Sequence, residues 1–539
     1  MLRLVALSWL TCCAAYAIHY VFNWYKLRRT MPPGPLGLPW LGNRHELPAI
    51  KPWKKFAEWN ALYGSVTSIF LGTTPVIILG TAQPAWDLLE KRSDIYSSRP
   101  RFVVAGEILS NNMRGLMLPN NDVWRRWRKV LHLGFHSRQA ASYNEIQSME
   151  SKVVLKQLLD DPSDFEKHFQ RFAGSVAVSV TYGRRIKTSD DWIPTERETT
   201  IWQTSLASSE KWIILVKHCL TLKSSIPGKY LVESWPWLLK LPRPLQWFRR
   251  EPERRKKEDI AFLTYLLRQV KMGMGSGTMQ DCLASQCLNN IEQLGMDEVE
   301  LAYAISSPFG AGIETSVTLQ TVATTTTLIM AMLHYPEVQE KAQAELDKVI
   351  GHGRMPEYED RENLPYINAV INEALRWRPV AVLGGQPHAV TEDDVYNGMF
   401  IPKGSTIFAN LYGIMRDPGM SFMFPDPEAF KPERFIDTTN PRLKNFDLPF
   451  GFGRRSCPGI HLARNSLYIN VARLLWGFQI KPALDEKGNE IMPDCNAYTN
   501  GFNSRPVPFP CRFIPRSPKI TLCIQTEWEA VRPRLELSR

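Results

Sequence analysis

Cysteine is scarce: nine in 539 residues, scattered and odd in number. That excludes a fully paired disulfide framework and points to reduced thiols and a cytosolic body. Cys282 and Cys287 read as helix-core packing rather than as a zinc site. No block of like charge stands out, and a net charge of +11 is mild for this length, so nucleic acid is not an expected partner. A basic face that meets an acidic protein is the more economical reading. No Asn-x-Ser/Thr sequon occurs, which fits a cytosolic chain. Strand signals are slight. Val66 to Leu71 and Val76 to Leu79, around Gly72-Thr73-Thr74-Pro75, read as a hairpin, and the remainder is mostly helical. The length allows several ordinary domains or one large one with a deep interior.

What is present begins at the N-terminus. Leu4 to Tyr25 holds no Asp, Glu, Lys or Arg, close to the ~20 residues that cross a bilayer. Ala15-Tyr16-Ala17 offers a competing reading as a signal-peptide cleavage site. The apolar run continues past it through Ile18, Val21, Phe22 and Trp24, and Lys26, Arg28 and Arg29 follow where only Arg3 precedes. One transmembrane helix with the body on the cytosolic side is therefore expected. Pro32-Pro33-Gly34-Pro35 and Leu36-Gly37-Leu38-Pro39 then make a stiff spacer.

The densest stretch of signals is Phe450-Gly451-Phe452-Gly453-Arg454-Arg455-Ser456-Cys457-Pro458-Gly459. Pro458 is a residue suited to starting a helix, and Ile460, Ala463, Leu467, Val471, Leu474 and Leu475 form an apolar helical stripe behind it. Cys457 then sits at a helix N-terminus beside Arg454 and Arg455, where dipole and cations favour the thiolate. Such a thiolate serves as a metal ligand or a nucleophile; a bare cysteine would read as a small buried hydrophobe.

The pattern Phe450, Gly453, Arg455, Cys457, Gly459 resembles the haem-binding loop of the cytochromes P450, the haem-thiolate monooxygenases. The resemblance makes Cys457 the axial thiolate ligand, and so the metal ligand, of haem b (iron protoporphyrin IX), whose electron donation favours O–O cleavage. It also implies a mainly α fold with small β-sheets. Further motifs fall in the family's order. Glu298 to Met332 reads as one long helix capped by Asp297, with Gly310-Ala311-Gly312-Ile313-Glu314-Thr315-Ser316 at its middle. Small residues there cost about 1 kcal/mol per glycine, so a flat ligand lying against Ala311 and Gly312 is the expected gain. The segment is similar to the family's Ala-Gly-x-(Asp/Glu)-Thr, which makes Glu314 and Thr315 the catalytic proton path. Pro308 is unusual this deep in a helix and is expected to bend it.

Trp124 and Arg128 stand four apart on a basic helix start; alone they read as a solvated face, and in the resemblance they hold a haem propionate. His388 and Arg455 match propionate contacts, with Arg99 a weaker candidate, and Phe450 and Gly459 complete the cofactor set. Glu373 and Arg376 on the helix opened by Pro365, with Phe430-Lys431-Pro432-Glu433-Arg434-Phe435, resemble the family's structural charge cluster. Tyr396-Asn397-Gly398-Met399 is a hairpin turn.

The segment from Ser224 to Arg250 mixes prolines with Trp235, Trp237 and Trp247 and suits a membrane interface or a cover over an apolar pocket. It resembles the corresponding connection in fungal microsomal members; a plain buried loop is the other reading. The expected organisation is an anchor at 1–30, a proline-rich hinge at 31–45, the catalytic domain at 46–520 and a tail at 521–539, with no usable signal beyond Thr521. The resemblance implies a lipophilic substrate, electrons from an NADPH–cytochrome P450 reductase docking near Arg125, Arg126 and Lys129, membrane lipid as a partner, and the endoplasmic reticulum membrane as location. Segments 102–118, 309–311, 380–385 and 499–502 and the loop around Trp235 are expected to line the pocket. Secondary metabolism, with a terpenoid or an aromatic polyketide as substrate, is the expected role. Two alternatives stay open: a haem-thiolate isomerase, dehydratase or peroxygenase that needs no reductase, and a non-catalytic membrane haem-binding protein.

Overall fold

The computed structural model describes residues 2–187, 230–277, 280–313, 320–417, 424–501 and 503–537. The chain divides into two compact units. The first comprises Met1–Pro100, Val382–Phe422 and Gly451–Arg455; the second holds Arg101–Ala381, Met423–Phe450 and Ser456–Arg539.

The first unit is built on a four-stranded sheet with order β1-β2-β6-β3, from β1 (Val66–Leu71), β2 (Thr74–Leu79), β3 (His388–Ala389) and β6 (Thr406–Ala409). The expected hairpin forms with a tighter turn: Leu71 pairs with Thr74, and only Gly72 and Thr73 remain between the strands. Gly72 takes φ 65°, which a side chain resists. Helix α2 (Pro52–Tyr63) lays Phe56 and Trp59 onto Ile69, Val76, Ile78 and Phe408 to make the core. A second hairpin joins β4 (Asp394–Tyr396) to β5 (Met399–Ile401) through Asn397 and Gly398, both at positive φ as a type I′ turn requires.

Helix α1 (Leu2–Thr30) forms as one piece, but the expected membrane crossing is not supported: no helix among the described residues is long and apolar enough to span a bilayer. The physical reason lies in its composition. Ser8, Thr11, Tyr16, His19, Tyr20 and Asn23 dilute a run that lacks charge without being consistently apolar. Its last turns are also committed to protein. Trp24 is buried against Phe70, with ring centroids 5.6 Å apart, and Tyr20 stacks on Trp40 at 4.8 Å. The buried Arg28 donates to Pro32 O at 2.8 Å and Ser68 Oγ at 3.1 Å. The proline-rich segment that follows lies along β1: Ser68 N donates to Pro33 O at 3.0 Å, Asn43 N to Phe70 O at 2.7 Å, and Phe70 N to Asn43 Oδ1 at 2.9 Å.

The second unit is helical. Helices α3 (Asp122–Phe135), α5 (Phe165–Tyr182) and α6 (Arg250–Gly275) pack around α7 (Glu298–Ile313) and α8 (Gln320–His334), and α4 (Asn144–Asp160) lies against α5. Asp297 caps α7, its Oδ1 accepting from Glu300 N at 2.8 Å, and Pro308 lies within the helix. The long helix expected from Glu298 to Met332 is thus described as two stretches, and Glu314 and Thr315 lie outside the described residues. Behind them follow α9 (Pro336–Val349), α10 (Pro365–Trp377) and α11 (Ile460–Gly477), which is buried from Ser466 to Gly477. A three-stranded sheet of order β8-β7-β9, from β7 (Phe478–Leu484), β8 (Glu490–Ile491) and β9 (Cys511–Pro515), leads into the final helix α12 (Pro518–Leu537). Ile520 and Ile524 are fully buried, and Val531 and Leu535 pack on Val153 of α4. The C-terminal stretch is therefore part of this unit's core.

Candidate active site

In the second unit the cysteine stretch is shaped before its helix starts. Gly459, not Pro458, is the N-cap of α11, so Cys457 precedes the first helical residue by three positions. Cys457 N donates to Phe450 O at 2.8 Å, closing the loop, and the Gly459 N–H points at the sulfur. Arg128 of α3 donates from Nη1 to Ser456 O at 2.9 Å, bringing its cation beside the same sulfur. The sequence-based expectation of a depressed thiol pKa is overturned. Burial pushes the Cys457 thiol up, and the Gly459 N–H and the Arg128 charge only partly offset it. The polypeptide alone keeps the sulfur protonated; a metal cation at this position would deprotonate it outright. A half-buried cysteine whose sulfur has one N–H donor and one neighbouring guanidinium therefore suits a metal ligand better than a free nucleophile.

In α3, Asn121 caps the helix by accepting Trp124 N at 2.9 Å, and Trp124 is buried. Trp127, which the sequence reading passed over, donates from Nε1 to Ser307 Oγ at 2.8 Å and so ties α3 to α7 a turn before Ala311 and Gly312. Those two residues lie in the last described turn of α7, which runs to Ile313. Of the cations expected to meet a partner, Arg125 is exposed, whereas Arg126 is held by Glu300 at 2.7 Å.

The charge cluster forms as expected. Glu373 and Arg376 on α10 are both fully buried and bidentate at 2.7 and 2.8 Å. Glu373 Oε1 also accepts from Lys431 N at 2.8 Å and from Arg434 Nε at 3.2 Å.

In the first unit, Arg99, His388 and Arg455 are gathered by backbone carbonyls. Arg99 donates to Gln386 O at 2.5 Å and Pro387 O at 2.9 Å, and Arg455 Nε donates to Ser97 O at 2.6 Å. His388 Nδ1 lies 2.9 Å from Tyr96 O; a carbonyl can only accept, so Nδ1 carries the hydrogen and Nε2 is left as an acceptor. Burial pulls Arg99 down to about 9. Burial, then the charges of Arg99 and Arg455, hold His388 well below the ordinary histidine value. Two guanidiniums, Arg99 and Arg455, thus flank a neutral His388, and an anion there, such as a carboxylate, would offset their charge.

Gly453 fixes the approach of this loop. It sits at φ 52°, and a Cβ there would run into the Leu89 carbonyl. Gly453→Ala is expected to cost at least about 2 kcal/mol, since the left-handed strain alone costs of order 1–3 kcal/mol. Thermal unfolding of the variant measures it.

The model of the family described as Cytochrome P450 matches residues 32–500. Cytochrome P450 monooxygenase 58 of Postia placenta is 34% identical over 510 residues, covering 93% of this chain and 92% of the relative. Cytochrome P450 monooxygenase claR of Ampulloclitocybe clavipes is 36% identical over 512 residues, covering 92% and 89%. Cytochrome P450 monooxygenase COX2 of Coprinopsis cinerea is 34% identical over 531 residues, covering 96% and 95%. With that likeness spanning both units, this chain belongs to the cytochrome P450 monooxygenase family, oxidoreductases that incorporate oxygen, a family that implies haem with a cysteine thiolate ligand.

Proposed function

We propose that Cys457 would hold haem b through its sulfur and that this enzyme oxidises a lipophilic small molecule with dioxygen and NADPH-derived electrons. The observation that carries the reading is the half-buried Cys457, its sulfur between the Gly459 N–H and the Arg128 cation. Haem b held by that sulfur would supply the oxygen-activating chemistry, with the thiolate's electron donation favouring O–O cleavage. Arg128 and Trp124 would take one propionate; Arg99 and Arg455 suit a propionate by their positive charge, and that anion would favour the protonated, donating form of His388. Ala311 and Gly312 leave room for a flat ring, and Phe450 and Gly459 complete its surroundings. Glu314 and Thr315 would carry the proton path, a carboxyl and a hydroxyl being groups able to relay protons.

Electrons come from an NADPH–cytochrome P450 reductase that meets the basic face of α3 at Arg125 and Lys129, a match of charge that speeds encounter. The fungal origin of the relatives supports a secondary metabolite, a terpenoid or an aromatic polyketide, as substrate. Buried Val103, Val104 and Ile108 support an apolar one. The enzyme works at the endoplasmic reticulum membrane with its body cytosolic, attached through α1 and the aromatic segment whose Trp235, Trp237 and Trp247 are about half exposed. Cell fractionation tests this: recovery of the full chain in the soluble fraction at low salt overturns it.

The decisive test is turnover of a lipophilic panel with reductase, NADPH and isotopically labelled dioxygen. One labelled oxygen atom in the product and no product without NADPH are expected; NADPH-independent product moves the enzyme to the isomerase, dehydratase or peroxygenase reading. Thr315→Ala is expected to lower product formation by about 10²–10⁴-fold, the range of a positioned proton donor. Unchanged turnover removes Thr315 from the proton path.

A further inference from the structure

Two of the segments expected to line the substrate cavity meet at one carboxylate. Residues Val103–Leu109 form a π-helical turn, a geometry frequent at functional sites. Residues 231–249 form a chain of single helical turns, Leu231–Ser234, Pro236–Lys240, Arg243–Leu245 and Trp247–Arg249. The inner face of this second segment places Val232, Leu238 and Phe248 on Val103, Val104 and Ile108. Its outer face shows Trp235, Trp237 and Trp247 to solvent. Gln246, donating to Leu239 O at 3.0 Å and Leu241 O at 2.6 Å, knits it internally.

Glu233 is the polar fastening between the two. Its Oε2 accepts from Val103 N at 2.9 Å and its Oε1 from Val104 N at 2.8 Å. The nearest other charges are Glu107 and Arg101, which pair with each other at 2.5 Å. Apolar contacts slide and re-form over many arrangements, whereas a carboxylate that spans two successive backbone N–H groups defines one. Burial pushes the Glu233 carboxyl up, and the two N–H donors draw it back. Two N–H bonds to one carboxylate thus set a single closed arrangement, which parts only when both break.

We propose that Glu233 is the latch of a substrate-entry gate, holding the 231–249 segment closed over the 103–109 turn and parting to admit bulky lipophilic ligands. This rests on the reading of those segments as cavity lining. Opening breaks the two N–H···carboxylate bonds together, and the apolar faces of both segments then become the walls a lipophilic ligand meets on entry. Glu233 is a positioning residue: it acts through the backbone of Val103 and Val104.

The test uses the full chain carrying its haem, as wild type, Glu233→Ala and Glu233→Gln. Hydrogen exchange at the Val103 and Val104 amides is expected to rise at least about tenfold in E233A. E233Q keeps one carbonyl acceptor and is expected to fall between, at an unfolding temperature close to wild type. Stopped-flow binding of a bulky N-substituted imidazole is expected to speed up about tenfold in E233A, with carbon monoxide binding changed less than about twofold. Exchange at both amides as slow in E233A and E233Q as in wild type overturns the latch. So does equal acceleration of the bulky azole and carbon monoxide, which marks general loosening. If neither ligand shifts the Soret band of the wild-type protein, the haem assignment fails instead, and amide exchange still reads the latch.

Discussion

Cys457→Ser is expected to abolish the red-shifted Soret band of the reduced, carbon monoxide-bound protein while leaving the far-ultraviolet circular dichroism of the helices unchanged. The loop around it is closed by the Cys457 N–H on Phe450 O, a backbone bond that serine keeps. What serine removes is the soft sulfur. Turnover should fall by more than the roughly 10–100-fold that loss of an outer partner of a metal site costs. The pairing of an intact fold with a lost band is the informative outcome. A variant with the band in place would move the ligand to another residue and dissolve the proposed site.

Removing Glu373 is expected to damage folding more than chemistry. Its carboxylate meets Arg376 with both oxygens and Arg434 with one, and all three side chains are almost wholly buried. Glu373→Ala leaves two guanidiniums without their carboxylate, where breaking one buried pair already costs about 3–5 kcal/mol. Arg376→Ala should cost less, because Arg434 remains to neutralise Glu373. Against a total stability of about 5–15 kcal/mol, the alanine variant at 373 should yield little folded, haem-loaded protein. Thermal unfolding and the haem-to-protein absorbance ratio, compared across Glu373→Ala, Glu373→Gln and Arg376→Ala, check that order. An alanine variant at 373 as stable as wild type would mean that the cluster does not hold this unit together.

Local signals were readable where chemistry demands particular residues at fixed spacing. The stretch from Phe450 to Gly459, the Pro365 helix with its Glu373–Arg376 pair, the Asn397-Gly398 turn and the Asp297 cap all depend on neighbours within a few positions. Features set by distant partners were not readable. Whether Cys457 ionises turns on how deeply it is buried, and burial reverses the direction that helix end and arginines suggested. The N-terminal helix shows the same limit: absence of charge is not apolarity, and Trp24 and Arg28 find their partners in β1 and the proline-rich segment. In α12, Ile520, Ile524, Val531 and Leu535 do form a stripe, but Pro533 and a run of charges obscure it until α4 and α11 supply the other side. Glu233 gave no sign at all, since its two donors lie about 130 positions earlier.

The way the N-terminal helix closes on β1 bears on where the polypeptide tolerates shortening. The outer margin of that strand is occupied by Pro33, Asn43 and the Arg28 guanidinium, so the strand offers no open ladder for another molecule to join. A version starting at Pro32 would lose Trp24 and Arg28 together, baring the Phe70 ring and leaving the Ser68 hydroxyl only the Pro32 carbonyl. One starting before Tyr20 would keep both, and should stay dispersed where the shorter one clumps.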